Sequence, residues 1–137
     1  MTRSDRGSTT IWVLGLSILI LLLGGLSIDY WRALALQREL AAVADSAAIA
    51  AASGIDEDTY RATGEISLDA VRSRQLASAA VDWQGLDVAG SEVDVLGGSV
   101  TVTLTAVVDL GLLGVFVDES EPLTVRASAT AVPEMVP

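Results

Sequence analysis

The chain has 137 residues, of which 51% are hydrophobic and 19% charged, and its formal net charge at pH 7 is -10. It contains no Cys, His, Lys or Asn. These absences exclude thiolate and imidazole nucleophiles, a disulfide framework, a zinc site of Cys and His, and a Ser-His-Asp triad. The acidic balance argues against nucleic acid as a partner, because contacts to phosphates require clustered cations.

An uncharged apolar segment near the N-terminus is the first predicted element. It covers residues 7–28, and as a helix it would be roughly 33 Å long, against a hydrocarbon thickness of ~30 Å. A retained membrane anchor, a cleaved signal peptide and the buried core helix of a soluble domain are the three interpretations. A signal peptide has a shorter apolar region, of about 7 to 15 residues. The pattern therefore favours an anchor, with a cytoplasmic tail over residues 1–10 and a transmembrane helix over residues 11–28.

The flanking charges predict the orientation of this anchor. Arg3 and Arg6 precede the apolar segment, whereas 17 of the 18 acidic side chains and six of the eight arginines follow it. Because arginine in a short flank favours the cytoplasmic side, we expect the N-terminus inside and the acidic body outside. Tyr30, Trp31 and Arg32 are then expected at the outer membrane interface, although the two rings could instead pack on the body.

The helix is predicted to continue beyond the membrane over residues 29–53, because this segment is rich in Ala and Leu and lacks Gly and Pro until Gly54. Apolar residues recur at helical spacing, and small alanines permit close approach of a neighbour. We expect this surface to pack on the chain's own head domain, residues 54–137. We also expect it to contribute to an assembly interface with other subunits through Leu36, Leu40, Ala44, Ala48 and Ala51.

The first half of the head is predicted to contain one amphipathic helix. The acidic residues 56–58 indicate a solvated linker or a helix start, since the spacing does not fit a calcium loop. Residues 65–68 suit a strand or an extended lead-in. Asp69 is then an N-cap for a helix that ends before Gly85. Its predicted apolar face consists of Val71, Leu76, Ala79, Ala80 and Trp83.

The second half of the head is predicted to form an antiparallel sheet. Residues 91–96 and 99–108 alternate apolar and polar side chains around Gly97 and Gly98, which indicates a hairpin, and residues 123–131 form another alternating strand. One apolar face implies that the sheet is covered on one side. Between these strands, Leu112, Leu113 and Phe116 are expected to plug the core or to contact the membrane or a partner.

An enzymatic role is not predicted. The remaining candidates for acid-base chemistry are carboxylates such as Glu92 and Asp94, which need a fixed separation across a cleft. Both are expected on the solvent face of one strand. The sequence thus predicts no catalytic, cofactor-binding or metal site and no small-molecule substrate.

The predicted fold class is α+β with a type IV pilin-like layout, in which a long N-terminal helix, half transmembrane, carries a small antiparallel-sheet head and one amphipathic helix. The polar entry at residues 5–10, Gly24-Gly25 and the alanine run around Asp45 together resemble the TadE/TadG-like family of the Flp (tight adherence) pilus machinery. The resemblance is good over residues 5–53 and weaker beyond.

This resemblance implies a membrane-anchored minor pilin or pilus-assembly component in a bacterial envelope, acting on other pilins or assembly proteins. It also implies a processing junction between Gly7 and Ser8, because prepilins of such systems are cut after a Gly. Those prepilins carry Glu at the fifth mature position, whereas here the fifth residue is Trp12. The alternative function is a single-pass envelope protein whose head binds an unrelated ligand or receptor.

Overall fold

The computed structural model describes residues 5–96, 98–111, 114 and 122–134, with side chains from residue 8 onward. In chain order the described elements are α1 (Asp5–Ala52), α2 (Glu57–Thr63), α3 (Ala70–Gln84), β1 (Gly90–Leu96), β2 (Ser99–Val107) and β3 (Thr124–Ala131). They form an α+β fold with a pilin-like layout, which confirms the predicted fold class.

Helix α1 is continuous for 48 residues, a length of about 72 Å. It has no break where the apolar segment meets the first charged residue, Asp29. The predicted continuation of the apolar helix beyond residue 28 is therefore confirmed, and the helix ends at Ala52, one residue before the predicted end. The N-terminal half of α1 projects from the head, and the C-terminal half lies in its core.

The two short helices begin and end on local signals. The side chains of Asp56 and Asp69 accept hydrogen bonds from backbone N–H groups at the starts of α2 and α3. Gly64 and Gly85 follow the two helices with φ of +73° and +64°, which glycine adopts without strain. Both predicted ends of α3 are confirmed. The acidic segment proves to be a helix start.

Residues 65–68 are an extended lead-in and not a strand of the sheet. Their one ladder contact is an isolated antiparallel bridge between Leu68 and Ile55. The backbone N–H of Asp69 also donates to the carbonyl of Gly54, at 2.9 Å. These contacts hold the start of α3 beside the end of α1, so that α3 runs back toward the apolar half of the long helix.

The described strands form one antiparallel sheet in the order β1-β2-β3. The predicted hairpin between β1 and β2 is confirmed, with Leu96 opposite Ser99 and Gly98 at a φ of +82°. Strand β2 lies in the centre, and every second residue along it is buried. The expected two-residue alternation therefore gives one core face and one solvent face.

The core lies between the sheet and the two longer helices. Helix α1 packs on β2 and β3, and α3 packs beside α1 toward β1. The buried cluster comprises Leu40, Val43, Ala44, Ala47, Ala48 and Ala51 of α1, Ala77 and Val81 of α3, and Val100, Val102, Leu104 and Ala106 of β2. Small side chains on α1 and β3 permit this close helix-on-sheet packing.

The predicted apolar face of α3 was wrong in part. The buried residues of α3 are Ser73, Ala77 and Val81, and Leu76 and Ala80 are half-buried. Val71 is exposed, and Trp83 is 90% exposed. The helix is rotated so that a column of small residues, spaced four apart, meets α1, because the alanines of α1 leave room for close contact but little room for an indole.

The other face of the sheet is polar and solvent-facing. The hydroxyls of Thr101 and Thr130 lie 2.9 Å apart, and those of Thr103 and Ser128 lie 3.1 Å apart. Glu92 and Asp94 are exposed on the edge strand β1, as the sequence predicts. Within the described residues, no three acidic side chains are grouped closely enough to hold a metal ion.

Candidate functional site

The apolar half of α1 is exposed along its length. The described residues contain one helix that is long and apolar enough to cross a membrane. Only 6% of its most apolar stretch is buried. A core helix of a soluble domain would be mostly buried, so this geometry disfavours that interpretation and agrees with membrane anchoring.

Two aromatic rings mark the point where α1 enters the head. Tyr30 and Trp31 are each 64% exposed. Neither ring is therefore packed in the head, which was the alternative to an interfacial position. Exposed Tyr and Trp directly after an apolar helix are typical of the membrane interface, where one part of each ring is apolar and the other is polar.

Asp29 lies on the opposite side of the same turn and is 2% exposed. Its Oδ1 accepts a hydrogen bond of 2.9 Å from the backbone N–H of Gly111, in the segment after β2. A Cβ atom on residue 111 would lie 3.0 Å from Oδ1 of Asp29 and 3.3 Å from Nη1 of Arg32. Glycine at 111 therefore lets the backbone come close enough for the carboxylate to fasten the head to the end of the apolar segment.

A groove of about 470 Å³ lies next to this junction, between α1 and the edge of the sheet where β1 begins and β2 ends. Its walls are formed by the charged residues Arg32, Asp87 and Asp109 and by the apolar residues Leu36, Leu86, Ala89, Val107 and Val108. The predicted interface residue Arg32 thus borders both the Gly111 contact and the groove. Within the described residues, Arg32 forms no ion pair with Asp87 or Asp109.

The residues predicted for assembly lie in two different places. Leu40, Ala44, Ala48 and Ala51 are fully buried in the chain's own core, and Leu36 is half-buried against it. Their side chains make the intramolecular contacts that the sequence also predicts, and in this fold the four fully buried residues present no surface to a second subunit. Leu112, Leu113 and Phe116 lie outside the described residues.

The predicted processing junction lies within a helix. Gly7 and Ser8 both belong to the first turns of α1, and Ser8 is exposed. Processing between them stays a prediction.

A second groove, of about 460 Å³, lies at the far end of the head. The end of α1 and the segment after β3 form it, with Ile49, Ile55 and Val132 among its lining residues. The side chains of Ile49 and Val132 are exposed. This end of the head, about 35 Å along α1 from Asp29, therefore has a partly apolar surface.

Sequence reasoning missed the role of Asp29 and Gly111. The carboxylate is the first charge after 22 uncharged residues, which is a signal for a special position, but its partner lies 82 residues away. No local periodicity connects Asp29 with the loop after β2.

The fold and this junction define a small α+β head carried on a long N-terminal helix, in a pilin-like layout. Residues 7–54 match the family model Tad, described as "Putative Flp pilus-assembly TadE/G-like", which confirms the resemblance over about a third of the chain. The comparisons with curated proteins and with solved structures give no match. The matched segment is nearly coextensive with α1, so it includes both the apolar half and the half inside the head.

Proposed function

We propose that this chain is a membrane-anchored minor pilin or assembly component of a Tad/Flp-type pilus. The observation that carries the proposal is the extent of the family match, residues 7–54, which covers the exposed apolar helix and its buried continuation as one unit. A soluble binding module does not expose a long apolar helix to water, because an apolar surface of that size marks a membrane or protein contact. The pairing of anchor and head in one helix suits a subunit that works at a membrane.

In this role the apolar half of α1 holds the chain in the bilayer and the acidic head lies outside the cell membrane. The N-terminus faces the cytoplasm, as the two arginines of the tail favour. The head then contacts other pilins or assembly proteins through its exposed surfaces, because the alanine column of α1 is occupied by its own sheet. No catalytic step is part of this proposal.

The location of the native protein tests the proposal. Sheared extracellular filaments and washed membranes from the same cells are probed with an antibody against the head. Recovery in filaments supports a pilin subunit, and recovery only in membranes supports an assembly component. Normal piliation after deletion of the gene would contradict both roles and favour the alternative, an envelope protein whose head binds an unrelated ligand or receptor.

Orientation has a separate and clean test, because the chain contains no cysteine. A single cysteine is introduced either in the tail, as Ser8→Cys, which stays in the chain whether or not it is cut after Gly7, or on the exposed strand β1, as Ser91→Cys. In cells with a permeabilised outer membrane and an intact inner membrane, an impermeant maleimide should label the Ser91 variant and spare the Ser8 variant. The reverse labelling pattern would show that the head is cytoplasmic and would contradict the proposal.

Processing is tested by the mass of the protein purified from its native membrane. Cleavage after Gly7 leaves a chain that begins at Ser8, whereas an unprocessed chain retains Arg3 and Arg6. A mature chain beginning at Ser8 would support a pilin subunit despite Trp12 at the fifth position. An uncleaved chain would support an assembly component.

A further inference from the structure

We propose that the groove beside the membrane junction binds the headgroup of phosphatidylethanolamine, taken from the membrane leaflet that faces the head. The inference rests on the membrane anchoring in the proposed function. It concerns the charged side chains of Arg32, Asp87 and Asp109, which line the groove and are not part of the hydrophobic core of the head.

The height of the groove is the first argument. Arg32 follows Ile28, the last residue of the predicted span, by four residues, which is about 6 Å along a helix. The headgroup region on each side of a bilayer is roughly 5–8 Å thick, since a hydrocarbon core of ~30 Å lies within a total of ~40–45 Å. The groove therefore lies at the depth of the lipid headgroups, beside the exposed rings of Tyr30 and Trp31.

The charges of the groove are the second argument. One guanidinium and two carboxylates line the same cavity, and the described residues include no ion pair of Arg32 with either acid. Phosphatidylethanolamine carries a phosphate, which suits Arg32, and a primary ammonium with three N–H donors, which suits carboxylates. Phosphatidylcholine has the same charges, but its quaternary ammonium has no N–H to donate.

The overall charge of the chain is the third argument. Phosphatidylglycerol is anionic and has no ammonium group, so the two carboxylates of the groove and the formal net charge of -10 repel it. The apolar part of the wall, including Leu36, Leu86 and Val108, can contact the glycerol and the first methylenes of the lipid. A zwitterionic lipid with a protonated amine therefore fits the groove best.

The test uses the full chain in nanodiscs that contain equal amounts of phosphatidylethanolamine, phosphatidylcholine and phosphatidylglycerol with identical acyl chains. Native mass spectrometry counts the lipids that stay bound to the protein after it is released from the nanodisc. We expect phosphatidylethanolamine to exceed phosphatidylcholine by roughly fivefold, which corresponds to ~1 kcal/mol, the upper range for an exposed ion pair. Equal retention of the two, or a preference for phosphatidylglycerol, would overturn the inference.

Matched double variants locate the selectivity. Asp87→Asn with Asp109→Asn should reduce the preference for phosphatidylethanolamine over phosphatidylcholine to about one, because neutral amides attract an ammonium group less. The control, Asp82→Asn with Asp94→Asn, removes the same charge from exposed positions outside the groove and should keep the preference. Equal loss in both variants would mean that net charge and not the groove selects the lipid, which also overturns the inference.

Carbonate extraction of native membranes separates this inference from the proposed function. A chain released by carbonate is not integral, and the proposed membrane role then fails together with the lipid site. A chain that stays in the membrane, but retains the three lipids equally in nanodiscs, keeps its proposed role and loses only the headgroup site.

Discussion

The carboxylate of Asp29 and the backbone N–H of Gly111 are joined by a hydrogen bond of 2.9 Å across 82 residues of sequence. This bond connects the last turn of the exposed apolar helix with the segment that follows the central strand. Because Asp29 is 2% exposed, its charge lies away from water at the base of the head. This bond fastens the base of the head at the membrane boundary, in addition to the core contacts that the C-terminal half of α1 makes with the sheet and with α3.

Replacement of Asp29 by alanine is expected to lower the free energy of unfolding of the head by about 1.5–3 kcal/mol, the range for a hydrogen bond to a charged group. Thermal unfolding in nanodiscs measures this loss, and hydrogen exchange at the Gly111 amide reports the bond itself. The control is Asp45→Ala, since Asp45 is exposed on the same helix. Unchanged exchange at Gly111 in the Asp29 variant would show that the bond does not protect this amide.

Enlargement of the buried alanine column is expected to destabilise the head. Ala48→Leu places a large side chain in the core that α1 shares with the sheet and α3, and overpacking of this kind costs about 1–3 kcal/mol. Ala42→Leu is the matched control, because Ala42 is exposed on the same helix. A lower melting temperature for the Ala48 variant alone supports the intramolecular role of the column. Loss of assembly without loss of stability would instead indicate an intermolecular contact.

A contact between Gly54 and Ser73 should produce strong coupling in a double-mutant cycle. A Cβ atom on residue 54 would lie 2.7 Å from Oγ of Ser73, a buried hydroxyl that has no hydrogen-bond partner within the described residues. We expect Ser73→Ala alone to be neutral or stabilising, by up to about 1 kcal/mol, because it removes an unsatisfied buried group. Gly54→Ala alone should be destabilising.

In the double variant, part of the Gly54→Ala loss should be recovered, because the hydroxyl that meets the new methyl group is gone. The backbone N of Ser73 would still lie 3.0 Å from that methyl, so recovery is incomplete. Chemical denaturation of the four chains gives the coupling energy. Additive effects of the two substitutions would contradict the close approach of residue 54 to the Ser73 side chain.

The start of α2 should depend on pH through Asp56. Hydrogen bonds from the Thr59 hydroxyl, then from the Thr59 and Asp58 backbone N–H groups, hold the pKa of Asp56 below its ordinary value of 3.8. A lowered pKa in the folded state means that this stabilisation is full above pH 3.8 and is lost as the pH falls through the folded pKa. A carbon-13 titration of the Asp56 carboxylate should therefore have its midpoint below 3.8.

Thr59→Val keeps the shape of the side chain and removes its hydroxyl, so it should raise the Asp56 midpoint. Thr63→Val is the control, because the Thr63 hydroxyl bonds to the carbonyl of Thr59 and not to Asp56. An unshifted midpoint in the Thr59 variant would mean that the side-chain hydrogen bond is not the main cause of the low pKa.

Features with a local cause were predictable from the sequence. The length of α1 follows from apolar and alanine-rich composition, and the ends of α3 follow from Asp69 and Gly85. The hairpin follows from two-residue alternation around a glycine pair. In each case the residues that determine the element lie within it or next to it.

Features that depend on distant contacts were not predictable. The rotation of α3 is determined by the small residues Ser73 and Ala77 against α1, while Val71 and Trp83 carry stronger apolar signals and are exposed. The groove combines Arg32 of α1 with Asp87 and Asp109 from segments more than 50 residues away. Such a site exists only after the helix and the sheet have packed together.

Because α1 is one uninterrupted helix, the head moves with the tilt of its apolar half in the membrane. From Asp29 to Ala52 the helix extends about 35 Å, and transmembrane helices are commonly tilted by about 20°. In a chain anchored as proposed, a tilt of that size carries the far end of the head sideways by about 12 Å, because no hinge separates the two halves. The interfacial side chains Tyr30 and Trp31 and any neighbouring helices, which set the tilt, would thereby set how far the outer tip reaches toward its neighbours.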